Sequence, residues 1–229
     1  MTSLLTNSDE FTNALEMYAP RYGVELSVQG LVQLRRYYEL VGEWNALLHL
    51  VAPCSPTEFA TRHVLESLLA LPFLTPGARV ADVGSGAGLP IIPCLILRPD
   101  IRATLFEANA RKTVFLREAL RLLDEGVEAG VIAGRFETMP APEVDFVTCR
   151  ALDRFTAMFS KLLEWSPRAS ELLLFGGPSL REQIERRSLK YTSVHIPESE
   201  QRFLFAVKGR SGSKNVNEVS LKPRRGERV

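Results

Sequence analysis

Cysteine and histidine are too few and too scattered here to build a metal site or a disulfide framework. The chain holds three of each, Cys54, Cys94 and Cys149, and His49, His63 and His195. No C-x-x-C pair occurs and the histidines show no ligand spacing, which points away from a zinc or disulfide scaffold and towards a reducing cytoplasm. No apolar run approaches the roughly 18 residues of a membrane span. Asp9 and Glu10 break up a weakly apolar start, so no signal peptide is expected. An excess of one charge is also lacking: 28 Lys and Arg against 27 Asp and Glu leave a net charge of +1, and no global field advertises a polyanion partner. Internal repeats are absent. What remains is a chain of 229 residues, 45% hydrophobic, able to build one domain of ordinary kind plus an extension.

The informative stretch is Val80-Ala81-Asp82-Val83-Gly84-Ser85-Gly86-Ala87-Gly88-Leu89-Pro90. Arg79 to Val83 reads as a buried strand with an acidic residue near its end. Three alternate glycines follow, then an apolar helix-like run from Leu89 to Leu97. Strand, glycine turn and helix start is how an α/β sheet receives a nucleotide-like cofactor. Glycine tolerates positive φ and lets backbone approach the ligand. A dinucleotide fingerprint, G-x-G-x-x-G, would place its third glycine where Leu89 stands; here it comes one residue early, at Gly88. G-x-G-x-G after an acidic strand end is the pattern of S-adenosylmethionine sites, with Asp82, Gly84, Ser85, Gly86 and Gly88 as cofactor-binding candidates. The competing reading is a glycine-rich turn that holds nothing.

Along the chain, residues 9–18 suggest a short helix. Ser27 caps a longer one, in which Leu31, Leu34, Tyr38, Val41, Trp44 and Leu48 recur at steps of three and four. Ser55-Pro56-Thr57-Glu58 is a capping box opening a further helix with Val64, Leu65, Leu68 and Leu69 on one face. Residues 1–72 therefore read as an all-helical extension. From 73 to 210, strand and helix patterns alternate: strands at Arg79–Val83, Arg102–Glu107, 127–133, 144–149 and 171–175, with helices over 110–124 and 153–164 and one opened by Pro178. In the first of these helices Val114, Leu116, Leu120 and Leu123 are the expected inward positions. Strands over 191–196 and 202–208 have no helix between them and predict an antiparallel edge hairpin. The whole implies a mainly parallel sheet covered on both faces. Residues 211–229 shift to Gly, Ser, Asn, Lys and Arg, and 208–229 hold seven Lys or Arg against two Glu, a mobile basic tail.

Further candidates line up behind the glycine loop. Glu107 ends the second strand, where an acidic residue accepts ribose hydroxyls; the alternative is a surface carboxylate. Gly134-Arg135-Phe136-Glu137 follows the third strand, beside the expected adenine position, although Phe136 also suits plain core. Arg150 ends the fourth strand, at the carboxyl edge where ligands of open α/β sheets bind. It either orients cofactor or substrate, or serves as a structural salt-bridge partner. Basic residues expected near the cleft mouth or in the tail are Arg111, Lys112, Arg202, Lys208, Arg210, Lys222, Arg224 and Arg225.

Trp44-Asn45, Arg62-His63-x-x-Glu66-Ser67-Leu68, the loop ending in Gly88-Leu89-Pro90, Glu107…Arg111-Lys112…Phe115-Leu116, Arg135-Phe136-Glu137 and Arg150-Ala151 together resemble the RsmG (GidB) family. Its members are bacterial methyltransferases that methylate N7 of a guanine in 16S ribosomal RNA of the small subunit. The resemblance covers about residues 10–209. It implies a class I methyltransferase, Rossmann-like fold, and S-adenosylmethionine held at the positions of Gly84, Leu89, Phe136, Glu137 and Arg150. It also implies 16S ribosomal RNA or the small ribosomal subunit as partner; the cysteine and histidine usage predicts no metal and a cytoplasmic protein, and a monomer is the default expectation. Two positions depart from the family pattern. Phe175-Gly176 stands where the family usually has Lys-Gly, and His49 where it tends to have Asn. The phenyl ring keeps two other readings open: a base-stacking surface, or a non-catalytic assembly factor with the same fold. A nicotinamide-dependent oxidoreductase is disfavoured by Leu89.

Overall fold

A computed structural model of the chain describes residues 8–150, 155–209 and 217–218. Among these, eight strands form one sheet in the order β3-β2-β1-β4-β5-β7-β6-β8. The strands are β1 (Arg79–Val83), β2 (Arg102–Glu107), β3 (Ala129–Ala133), β4 (Phe146–Arg150), β5 (Glu171–Gly176), β6 (Tyr191–His195), β7 (Phe203–Val207) and β8 (Asn217–Glu218). β1 to β5 run parallel, and β7 is antiparallel to both β5 and β6. The hairpin expected at the edge is present, with its second strand, β7, seated against β5.

Near-continuous apolar runs make the central strands. Val80-Ala81-Asp82-Val83 and Leu172-Leu173-Leu174-Phe175 are wholly buried, as strands covered on both faces must be. One face carries α1 (Ser8–Tyr18), α2 (Val28–Leu48), α3 (residues 56–68), α4 (Ile91–Leu97) and α5 (Ala110–Leu120), and the other α6 (Phe155–Trp165) and α7 (Pro178–Arg186). Leu34, Tyr37, Val64 and Leu68 of the helical extension share one core with Ile92, Leu95, Leu105 and Leu173. The extension therefore covers one face of the sheet as part of the same hydrophobic body.

Local chemistry sets the helix ends. Ser27 Oγ accepts from Gly30 N at 3.0 Å, and Ser55 Oγ from Glu58 N at 3.1 Å. The capping box closes on one side alone, because the Glu58 carboxylate turns to Arg62. α3 is α-helical at Pro56–Glu58 and Glu66–Leu68 and π-helical at Phe59–Leu65, a widening that periodicity does not signal. In α5, Val114 is 46% exposed while Thr113, Phe115, Leu116 and Ala119 are buried. Asn109 caps that helix at Ala110, the expected start, and Phe115, Leu116 and Ala119 pack into the core, which turns Val114 outward. The helix stops at Leu120; Leu122 and Leu123 continue in turns, not helix. Asn217–Glu218, within the stretch expected to be a mobile tail, pairs parallel with β6.

Candidate functional site

The carboxyl ends of β1 to β5 open into a cavity of about 880 Å³, within the usual range for small-molecule sites. Its first wall is the loop after β1. Gly84, Gly86 and Gly88 have φ of 70°, 55° and 85°, left-handed conformations that side chains resist. Gly84 N and Ser85 N both donate to Phe106 O, and Gly88 N donates to Ser85 O, which folds the loop over the tip of β2. From behind, the buried Tyr37 hydroxyl of α2 donates to Ala87 O at 2.7 Å. The Glu107 carboxylate accepts from Gly86 N at 2.9 Å and Asn109 N at 2.7 Å, so it is oriented by the loop it faces. Phe136 sits on the same wall, its ring edge-on to Trp165, and Glu137 beside it pairs with Lys161 at 3.6 Å.

The opposite wall is polar and comes from elements distant in sequence. Arg150, at the end of β4, is turned towards α3: Nη1 donates to His63 O and Ser67 Oγ, each at 3.0 Å, and Nη2 donates to Arg62 O. Glu66 Oε1 lies 3.3 Å from Arg150 Nη2, and Glu66 Oε2 lies 2.8 Å from Arg202 Nη2. The Arg150 guanidinium also stands 5.8 Å over the Phe175 ring. Burial pushes the Glu66 carboxyl up, against the pull of Arg150 and Arg202, and pushes the Arg150 guanidinium down. His63 is driven down to about 3 by burial and then by Arg150, which keeps its imidazole neutral.

Of the expected cofactor residues, Gly84, Ser85, Gly86, Leu89, Glu107, Phe136, Glu137 and Arg150 line this one cavity. Two do not. Asp82 is fully buried in β1, its Oδ1 accepting from the Thr148 hydroxyl at 2.6 Å. Burial raises its carboxyl to about 7, although the hydrogen bonds of Ser85 and Thr148 pull the other way. Gly88 faces α4: a Cβ there would come within 2.3 Å of Ile92 Cδ1. The corrected account makes Asp82 a strand-pairing residue and Gly88 a packing residue. Arg150 lines the cavity and is at the same time held by α3, which engages both of its Nη atoms. Phe175 is 4% exposed beneath Arg150, so it is not an open face for a base.

Among the basic candidates, Lys112 and Arg202 line the cavity, and Arg111 is exposed in the first turn of α5. Lys208 lies at the far edge. β7 runs against β5, with Phe203 opposite Gly176 and Val207 opposite Leu172, so the chain leaves β7 at the end of the sheet away from the cavity. Lys208 there acts on Glu171, lowering a carboxyl that burial raises. Arg210, Lys222, Arg224 and Arg225 lie outside the described residues, as does Ala151. His63, Glu66 and the segment His49–Ala52 were not assigned roles from sequence, yet all line the cavity. A signal existed for one of them: Glu66, with Ser67 beside it, interrupts the apolar run of α3 with polar groups at buried positions.

A family model described as rRNA small subunit methyltransferase G matches residues 31–217. Curated proteins with the name Ribosomal RNA small subunit methyltransferase G are similar to the chain. That of Xanthomonas axonopodis pv. citri (strain 306) is 43% identical over 128 residues, 56% of this chain and 59% of that protein. That of Xanthomonas campestris pv. campestris (strain B100) is 40% identical over 66% of this chain and 71% of its own length. The Neisseria gonorrhoeae (strain NCCP11945) protein is 34% identical over 68% and 71%. Against the first of these, the matched stretch spans less than two thirds of the relative. Among solved structures, the predicted O-methyltransferase Atu636 from Agrobacterium tumefaciens superposes with TM-score 0.53 at 19% identity, over 69% of this chain and 84% of that one. TYW2 of P. horikoshii, in complex with MeSAdo, gives TM-score 0.53 at 14% identity, over 65% and 63%. At such identities these likenesses speak for the fold alone, and that fold is the class I methyltransferase sheet.

Proposed function

The chain belongs to the rRNA small subunit methyltransferase G family, and on that premise we propose that it transfers a methyl group from S-adenosylmethionine to N7 of a guanine in 16S ribosomal RNA. The observation that carries this reading is the cradle formed by the left-handed glycine loop and Glu107. A carboxylate already held by Gly86 N and Asn109 N keeps lone pairs for ribose hydroxyls. The loop from Gly134 to Glu137 borders the place expected for adenine, with the Phe136 ring itself packed into the core, and the bare backbone of Gly84 to Gly86 allows close approach by the amino-acid end. S-adenosylmethionine supplies an electrophilic methyl on a sulfonium sulfur. The donor's chemistry fits the site, and its volume fits the cavity.

Guanine N7 carries a free lone pair, so the acceptor needs no proton removed before attack. The chain's work is to bind, to orient and to exclude water. Orientation of this kind supplies on the order of 7–11 kcal/mol of barrier reduction. His63, held neutral, offers no charge that repels the cationic product. Lys112 and Arg202 at the cavity provide positive charge for phosphates, and in RNA duplexes N7 lies in a deep, narrow groove, so the target base must be splayed out. We place the enzyme in the cytoplasm, acting as a monomer on 16S ribosomal RNA or on the small subunit.

The test is tritium transfer from labelled S-adenosylmethionine to small subunits lacking the modification, followed by mapping of label to guanine N7. Label in 16S RNA at N7 is expected. Calorimetric binding of the donor with no transfer to RNA or subunits would favour instead the non-catalytic assembly factor, the reading that Phe175 keeps open.

A further inference from the structure

Glu66 takes no part in the cofactor cradle, yet it is the carboxylate on which the opposite wall turns. Its side chain is 3% exposed. One oxygen meets Arg150 at the tip of β4, and the other meets Arg202, which directly precedes β7. Phe203, the next residue, faces Gly176 at the tip of β5. One carboxylate on α3 therefore joins the ends of two strands, β4 and β7, the second of which pairs with the tip of β5. Stability is a weak reason for such an arrangement, since apolar side chains in place of a buried ion pair are often as stable. Location supplies a stronger one. The glycine loop, Glu107 and Phe136 take up the half of the cavity above β1, β2 and β3. Glu66, Arg150 and Arg202 bound the other half, above β4 and β5, which is left for the acceptor.

We infer that Glu66 is a positioning residue for methyl transfer: it fixes the Arg150 and Arg202 guanidinium groups on the acceptor wall and so sets where the incoming guanine comes to rest. The inference rests on the methyltransferase reading above. Arg150 is locked by four partners and acts as the rigid half of the wall. Arg202, 32% exposed, is the half that meets RNA, and without Glu66 it would swing to the nearest phosphate. A displacement of about 1 Å at a reacting centre costs on the order of 100-fold in rate.

The experiment compares Glu66→Gln with wild type in three readings: donor affinity by calorimetry, steady-state transfer to unmodified small subunits, and the arginine side-chain Nε–Hε signals in 15N spectra. We expect kcat to fall by about 10- to 100-fold with donor Kd and subunit KM held within roughly threefold, and the Arg202 signal to become motionally averaged. Arg202→Gln, which leaves the Glu66–Arg150 contact in place, should lose kcat in the same way, and the double variant should be no slower than the slower single. Glu182→Gln, which removes an exposed pair with Arg186 on α7, is the control for ion-pair loss as such. A kcat within twofold of wild type in Arg202→Gln or in folded Glu66→Gln overturns the inference, as does a loss seen in donor affinity or melting temperature alone. If wild type itself transfers no methyl, the methyltransferase reading fails. The arginine spectra then still decide the positioning claim, and an Arg202 signal indifferent to Glu66→Gln overturns it.

Discussion

Gly86 and Gly88 stand two residues apart in one loop, and the structure assigns them different duties that substitution to alanine separates. At Gly88, φ is 85° and an added Cβ would meet Ile92 Cδ1 at 2.3 Å and Cγ1 at 2.8 Å. A left-handed alanine costs about 1–2 kcal/mol, and forcing a methyl into a packed core about 1–3 kcal/mol more. Gly88→Ala should therefore lose roughly 2–5 kcal/mol, a drop of about 5–15 °C in melting temperature for a chain of this size. At Gly86 an added Cβ finds nothing nearer than Gly84 O at 3.7 Å, so the cost is the backbone alone, about 1–2 kcal/mol. Its methyl, however, enters the cavity that Gly86 lines, where Gly88 does not. Thermal melts and calorimetric titration with S-adenosylmethionine should show Gly88→Ala as the larger loss of stability and Gly86→Ala as the larger loss of donor affinity. Measured against Ile92→Ala alone, which removes the clashing side chain at its own cavity cost, Gly88→Ala should cost only the backbone part. The reverse ranking, with Gly88→Ala weakening the donor at unchanged stability, would return Gly88 to the ligand wall and refute the assignment.

Three further outcomes follow from the same geometry. Asp82 has its folded value raised to about 7 from an ordinary carboxylate value near 4, so the stability tied to its protonated form is complete below pH 4 and is lost as pH rises to 7; Asp82→Asn, which still accepts from Thr148, should flatten that part of a stability–pH curve by a few kcal/mol, and parallel curves would contradict it. Arg150→Ala leaves Glu66 with Arg202 alone and frees three acceptors on α3, so urea unfolding should show a loss of about 2–4 kcal/mol, with Arg150→Lys recovering little because one ammonium cannot span those partners; a loss under 1 kcal/mol would show that the contacts are idle. Lys112→Ala should weaken RNA binding and lower the slope of log K against log salt by about 0.7–0.9, whereas Lys208→Ala, at the far end of the sheet, should leave both unchanged; equal effects in a salt series would remove the distinction.

Local pattern carried much of this molecule. β1 and β2 were legible to the residue because each is a short apolar run bounded by turn chemistry, and the glycine spacing announced a loop built on positive φ before any contact was known. The Ser27 and Ser55 caps were legible for the same reason, since each acts within three residues of itself. The phase of α5 was less so: Val114 and Phe115 are both apolar, and which of them turns inward is decided by how Phe115, Leu116 and Ala119 pack into the core.

The sequence alone therefore determined the alternation of strand and helix and the glycine loop, which follow from interactions between near neighbours; Glu107 faces that loop from 21 residues away because β1 and β2 lie side by side. Tertiary structure decided what Arg150 does, for its partners His63 and Ser67 lie 87 and 83 residues away along the chain. It also decided that Glu66 binds two arginines, that Asp82 and Gly88 lie behind the wall, and that Lys208 leaves the sheet on the wrong side for the cavity. Those facts depend on strand order and on the docking of α3. An arginine at a strand end has the same local sequence whether it greets a ligand or is claimed by a carboxylate from another element, and only the packed fold brings that carboxylate near.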